Sequence, residues 1–422
     1  MRTVARPGRG SEAGLRLRTR RVRYAGNGLR SVPLEKTLAA IEEYLLHCGD
    51  EVQFEIFRRD QDGAPRASLQ DLTPLRDPLY QRYSGKGMSS GQALVSAFME
   101  FVERLAGRAQ RRDRLVEAGY RELGRGAVDP RLFGLPADTS WDEDKKLDWI
   151  AGHSLTRSRS VLVPANLVLA PYQPDRDDKY LCHSDSNGLA SGNNIEEAVL
   201  HGLLEVVERD AAMIGEYHRL ERPEFATEGL PPEVLGLAGL LGERGYRSSF
   251  RSAMTDVDIP VVSAFLLSGA DPSACCVAFG CDLDPRLAFS RALTEAVQLL
   301  PPSANQPEWR GSGSPEHYAR TRPGRLEPSA LTNRATDDLK KNIEVCVEAL
   351  DRVGSEVVVV DLSLPEVPFP TVRVLATRLQ PILRRDEMRL TPRFFEVPVK
   401  LGLREAPLEP GEVRVWPLCG YR

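Results

Sequence analysis

Two short acidic patterns constrain this chain more than any other feature. Glu100-Phe101-Val102-Glu103-Arg104 is answered about a hundred residues later by Glu205-Val206-Val207-Glu208-Arg209. Residues at i and i+3 share a face of a helix, so each copy sets two carboxylates side by side with an arginine next in sequence. Each copy also follows a glycine-rich stretch, Ser84-Gly85-Lys86-Gly87 in the first case and Ser186 to Asn193 in the second. Two such helices brought together would crowd four carboxylates into one space. That charge calls for compensation, and divalent cations bridging to phosphates would supply it.

The rest of the composition limits the alternatives. The 422 residues are 41% hydrophobic and 27% charged, with a net charge of −4, which fits a globular chain and argues against nucleic acid as a general partner. No apolar stretch is long enough for a membrane span, and the N-terminus lacks the apolar core of a signal peptide. The seven cysteines show no zinc-type pairing and read as reduced thiols of a cytoplasmic protein. The first 23 residues hold eight arginines and one acid, Glu12. We expect residues 1–25 to be a disordered leader.

Helical spacing predicts helices over Thr37–Cys48, Gly91–Arg108, Ile195–Tyr217, Leu287–Leu300 and Asp338–Val353, with Ser89 or Ser90 as cap of the second. Strands are expected at Val52–Phe57, Asp148–Leu155, Val161–Tyr172, Ile259–Leu267, Val277–Gly280, Val357–Val360 and Val372–Leu375. The stretch 301–335, rich in Pro, Gly, Ser and Arg, reads as a loop or linker. A helix feeding a buried strand indicates a layered α/β (mixed α+β) chain. The glycine-then-helix arrangement occurs twice, with a weaker third version at Gly280–Gln298, as in a weak internal repeat.

Glycine-rich turns before helices suit phosphate, since the backbone approaches closely and the first helical N–H groups point outward. Neither turn matches a P-loop or a dinucleotide fingerprint. Glu197, His201, Glu205 and Glu208 recur at steps of four, four and three. On one helix such a stripe is usually a solvated face; its recurrence on a second argues for a site. The neighbouring arginines either pair with these glutamates or grip phosphate oxygens.

The run Ser186-Asn187-Gly188-Leu189-Ala190-Ser191-Gly192-Asn193, continuing through Glu196-Glu197 to His201 and Glu205-Val206-Val207-Glu208-Arg209-Asp210-Ala211, resembles the central hallmark of the YcaO family. Ser84-Gly85-Lys86-Gly87 through Glu100 and Glu103-Arg104 resembles its earlier motif, and Arg291-Ala292-Leu293-Thr294-Glu295-Ala296 its third. The resemblance implies a YcaO-like fold of repeated strand-turn-helix units, with a catalytic domain over 26–385 and ATP and Mg2+ bound between the glutamate-bearing helices. By similarity, Glu100, Glu103, Glu205 and Glu208 would hold magnesium. Arg30, Thr37, Lys86, Asn193, Glu197, Arg209 and Arg291 would contact the nucleotide. Glu205, Glu208 and Arg209 would be catalytic.

The family activates a peptide-backbone amide by phosphorylating its oxygen. A side-chain nucleophile then gives an azoline, and external sulfide a thioamide. The 386–422 tail has no proline-rich repeat of the kind expected of azoline-forming members, and no E1-like domain with paired zinc cysteines precedes the hallmark. These features resemble the stand-alone thioamide-forming branch, whose members modify a glycine of the methyl-coenzyme M reductase alpha subunit, often with a TfuA-type partner. The expected partners are therefore a peptide or protein substrate and a sulfide donor; nothing in the sequence decides for or against a homodimer. The competing readings are an azoline-forming cyclodehydratase, a non-catalytic ATP-binding accessory protein, and a dinuclear phosphohydrolase, which normally takes His or Asp ligands rather than paired glutamates.

Overall fold

The structure is a computed structural model that describes residues 15–25, 28–48, 54–59, 65–71, 82–269, 275–300, 324–384 and 387–413. A short hairpin, β1 (Tyr24–Ala25) and β2 (Leu29–Arg30), precedes helix α1 (Leu34–Cys48). Strands β3 (Phe54–Arg59), β4 (Arg66–Asp71) and β5 (Arg82–Lys86) form an antiparallel sheet packed against α1 and α2 (Ser90–Gly107). Next come β6 (Leu115–Ala118), α3 (Tyr120–Leu123), β7 (Leu147–Ser154), β8 (Arg159–Pro164) and β9 (Leu189–Ser191), which leads into α4 (Ile195–Tyr217). The chain continues through β10 (Glu224–Phe225), α5 (Pro232–Glu243), β11 (Tyr246–Ser252), β12 (Val261–Ser268), β13 (Cys275–Cys281) and α6 (Pro285–Gln298). It finishes with β14 (Arg325–Leu326), α7 (Leu339–Arg352), β15 (Val357–Asp361), β16 (Thr371–Ala376) and α8 (Pro392–Lys400).

Two larger sheets flank α4. One runs β6-β7-β15-β16-β9 with β8 on β7, and the other β13-β12-β11-β10-β14. Among these named strands only β10 and β14 pair in parallel, so the mixed α/β class holds with antiparallel sheets. The all-valine run of β15 is explained by alternation between two cores. Val357 and Val359 face the core shared with α4 and α7, whereas Val358 and Val360 face the one built around Trp149. A strand covered on both faces needs no polar side, so its periodicity disappears from the sequence. Of the 23 residues of α4, both the apolar side and much of the acidic side are buried. Glu196, Glu197 and Glu208 are 0%, 1% and 8% exposed, so its acidic stripe is not a solvated face.

Several expectations change. Ser84, Gly85 and Lys86 lie on strand β5 rather than in a turn. A Cβ on Gly85 would sit 2.0 Å from the Ala93 carbonyl oxygen, so this glycine lets a strand pack against α2 instead of cradling phosphate. The expected strand Val161–Tyr172 ends at Pro164, after which Ala165–Leu167 form a 3₁₀ turn; proline has no N–H to continue the ladder.

The leader expectation fails for residues 15–25. Leu15, Leu17 and Val22 pack against the core, and the Arg18 N–H and Arg20 Nε donate to the two oxygens of Glu196, each at 2.6 Å. Residues 1–14 lie outside the described residues. In the expected linker, 301–323 also lie outside them, but Arg325–Leu326 pair with β10 and Pro328 is buried. Within the tail, α8 is held to α4 by Arg393, whose Nη2 reaches Asp210 Oδ2 at 2.7 Å. No helix among the described residues is long and apolar enough to cross a membrane.

Candidate active site

The polar faces of α2 and α4 meet over a cavity of about 840 Å³. Ser89 caps α2 by accepting from the Gln92 N–H, and Asn194 caps α4 by accepting from the Glu197 N–H. These caps set where each helix begins and therefore which turn carries each glutamate. Glu100 and Glu103 reach the cavity from α2, and Glu205 and Glu208 from α4.

Each glutamate is anchored. Glu100 accepts from the Ser84 N–H at 2.8 Å and from Arg104 at 3.4 Å. Glu103 accepts from the Ser191 N–H and hydroxyl at 2.9 and 3.1 Å. Arg209 lies 3.6 Å from Glu205, and Glu208 accepts from the Cys281 N–H at 3.1 Å. Burial, with Glu205 and Glu100 nearby, pushes the Glu103 carboxyl up to about 8 despite the Ser191 hydrogen bond. Burial also raises Glu205, against the pull of Arg209. Burial therefore favours the protonated form of these two carboxyls.

Three cations, Lys86, Arg209 and Arg291, line the same cavity. Burial pulls the Lys86 ammonium down to about 7 while Glu208 draws it back up. Lys86 also pairs with Glu295. Arg30, Thr37 and Asn193 also line the cavity, where the Thr37 hydroxyl donates to Asn193 Oδ1 at 2.8 Å. Of the residues expected to contact nucleotide, Glu197 alone does not line the cavity. It lies behind Asn193, accepting from Asn193 Nδ2 at 2.8 Å and from the Ser31 N–H at 2.9 Å. Burial would raise its carboxyl, but Arg30 and these bonds hold it below its usual range. Glu197 thus reaches the cavity through neighbours that line it, Asn193 and Arg30.

The donor set fits a magnesium–triphosphate. Among the described residues no three His, Cys, Asp or Glu converge into a complete cage for one ion. The carboxylates are instead disposed as two pairs across a cavity, an arrangement suited to Mg2+ completed by phosphate oxygens and water. Arg291 Nε is buried without a hydrogen-bond partner among the described residues, and a phosphate oxygen would satisfy it. The sequence reading assigned no role to His201 or Glu295, which also line the cavity. Burial, reinforced by Arg291, Arg30 and Lys86, holds His201 well below its ordinary value, so it faces the site as a neutral imidazole.

Residues 84–380 match the family described as YcaO cyclodehydratase, ATP- and Mg2+-binding. The chain belongs to the YcaO family. Its cofactors are ATP and Mg2+. A YcaO structure from Methanopyrus kandleri bound with AMPPCP and Mg2+ is 29% identical, with a TM-score of 0.71 over 88% of this chain and 98% of that one. A heterocyclase in complex with substrate and cofactor shares the fold at a TM-score of 0.86 and 24% identity, over 96% of this chain; the YcaO chain spans 59% of that protein. An uncharacterized protein of Methanothermobacter thermautotrophicus is 34% identical over 64% of this chain and 70% of its own length. An uncharacterized protein from the tfuA 3' region of Rhizobium leguminosarum bv. trifolii is 29% identical over 71% and 76% of the two chains.

The Glu103 shift gives a pH prediction. Below about pH 8 the Glu103 carboxyl is protonated, and a metal ligand must be ionised, so if Glu103 ligates Mg2+, binding of Mg2+–nucleotide should release a proton. Affinity for AMPPCP with Mg2+ should rise from pH 6 and level off above about 8. Calorimetry in buffers of different ionisation enthalpy checks the released proton, and a flat profile would show that Glu103 does not ionise on binding.

Proposed function

We propose that this YcaO protein uses ATP and Mg2+ to activate a backbone amide of a peptide or protein, with external sulfide as nucleophile, forming a thioamide. One observation carries the activation step: two pairs of glutamates on α2 and α4 face one cavity that Lys86, Arg209 and Arg291 also line. In this reading Glu100, Glu103, Glu205 and Glu208 hold the magnesium, which offsets charge on the transferring phosphoryl group. Arg30, Thr37 and Asn193 seat the nucleoside end, with Glu197 bracing Asn193. Lys86, Arg209 and Arg291 bind phosphate oxygens, and Arg209 with Glu205 and Glu208 sits at the reacting end. No side chain forms a covalent intermediate.

Sulfide adds to the amide carbon, the amide oxygen takes the γ-phosphoryl group and ADP departs. Phosphate then leaves as the C=S bond forms, so amide, ATP and hydrogen sulfide give thioamide, ADP and phosphate. The position of the Rhizobium relative beside tfuA supports sulfur as nucleophile and a TfuA-type partner. The glycine of methyl-coenzyme M reductase alpha subunit is the protein substrate we place first.

The heterocyclase likeness favours a second reading, azoline formation from a Cys, Ser or Thr side chain. Mass spectrometry of peptides incubated with ATP, Mg2+ and sulfide separates the two. Thioamidation exchanges oxygen for sulfur and raises the mass; cyclodehydration loses water. Turnover that needs no sulfide and yields a lighter product would overturn the thioamide reading. ATP turnover absent with every peptide, alongside normal AMPPCP binding, would favour an accessory role.

A further inference from the structure

Residues 15–23 precede the stretch 84–380 that matches the family, yet they run across the N-terminal ends of α4 and α7 and finish at the cavity. At α7 the contacts are mostly main-chain. The Val22 N–H donates to the Asp337 carbonyl at 2.8 Å, and the Arg20 carbonyl accepts from the Leu339 N–H at 2.9 Å. Asp338, the cap of α7, accepts from the Lys340 N–H at 2.8 Å and from the Arg20 N–H at 3.3 Å. At the other end the Arg23 N–H donates to the Arg30 carbonyl at 2.9 Å, and both of these arginines line the cavity.

At α4 the attachment is one carboxylate. Glu196 is fully buried, and among the described residues its two oxygens are taken by the Arg18 N–H and by Arg20 Nε. The next residue, Glu197, holds the far end of the same stretch, accepting from the Ser31 N–H and hydroxyl at 2.9 and 2.8 Å. The first turn of α4 therefore grips residues 18–31 at both ends. Apolar anchoring is weaker, since Leu15, Leu17 and Val22 are only partly buried. Lifting residues 15–23 would strip both partners from a buried carboxylate at once, a cost of several kcal/mol. Such a segment is either seated or displaced as a unit.

We infer that Glu196 and Arg20 form a latch that seats residues 15–23 as a strap at the cavity edge, and that strap seating and nucleotide binding reinforce each other. The seated strap fixes Arg23 against Arg30, and Arg30 is continuous with Ser31, which Glu197 holds. A ligand gripped by Arg30 then binds the seated form more tightly than the lifted one. Linkage requires that ligand to hold the strap down by the same factor. The inference rests on the proposed nucleotide role of Arg30, Thr37 and Asn193.

The strap carries Arg16, Arg18, Arg20, Arg21 and Arg23, so trypsin reads its lifting, with the cut positions taken from mass spectra. AMPPCP with Mg2+ is the probe, its affinity measured by calorimetry on the intact chain. In the wild type, saturating AMPPCP should slow cutting within the strap about tenfold. Arg20→Met, which leaves α4 unaltered, should speed ligand-free cutting at the remaining strap arginines and weaken AMPPCP binding, each by about tenfold for one lost charge-assisted contact. Glu196→Gln should shift both readouts the same way; Arg20→Met keeps the test intact if the α4 variant melts early. Strap cutting that ignores AMPPCP in a wild type that binds it, or Arg20→Met with faster cutting and unchanged affinity, would overturn the coupling and leave the nucleotide seat standing. Unchanged ligand-free cutting in Arg20→Met would overturn the latch. A wild type that binds no AMPPCP would overturn the nucleotide seat and this inference with it.

Discussion

Glu205→Gln should lower ATP-dependent phosphate release by about 10²–10³-fold, the scale seen when one preorganised charge-stabilising group is lost. The substitution keeps the side-chain volume, so the fold should survive and the loss should be chemical. Two effects act together. The amide cannot supply the anionic oxygen that Mg2+ prefers. It also removes the carboxylate that lies 3.6 Å from Arg209, freeing that guanidinium to settle elsewhere. Raising Mg2+ should recover part of the rate, because a weakened ligand set can be driven by mass action. Phosphate release followed across a Mg2+ titration checks this. A wild-type rate at low Mg2+ would remove Glu205 from the metal site and with it the reading of α4 as half of that site.

The second large effect is on stability. Gly85→Ala and Gly280→Ala should each destabilise the fold by about 3 kcal/mol, the upper range for overpacking, because the new methyl meets helix backbone that cannot rotate away. The contacts would be 2.0 Å at Gly85 and 2.3 Å at Gly280. Gly215 in α4 and Gly236 in α5 provide the contrast, since a Cβ at either has nothing within 4 Å. Alanine there should stabilise by about 0.5–1 kcal/mol through helix propensity. Thermal or urea melts of the four variants check the sign as well as the size. If all four stabilised, the strand–helix contact would not be a close one.

The best-read elements carried their evidence locally. Helix α4 matches its expected span, Ile195–Tyr217, because its apolar residues repeat at helical spacing. The valines of β15 identified themselves by composition alone. Strand β5 did not, because Arg82-Tyr83-Ser84-Gly85-Lys86 looks like a turn until α2 lies over Gly85. The acidic stripe of α4 could be read two ways from sequence, and burial by two sheets decided against solvent. Residues 15–25 looked like a charged leader, since the carboxylate that receives Arg18 and Arg20 lies more than 170 positions away.

The glutamate pairs were written in the sequence itself, because helical spacing places i and i+3 together whatever surrounds the helix. Which helices face one another, which cations join them at the cavity, and which glutamate meets a lysine were decided only by the tertiary structure. Contacts such as Ser191 to Glu103 and Lys86 to Glu295 join distant segments through strand and helix packing, and no local preference of either segment encodes them.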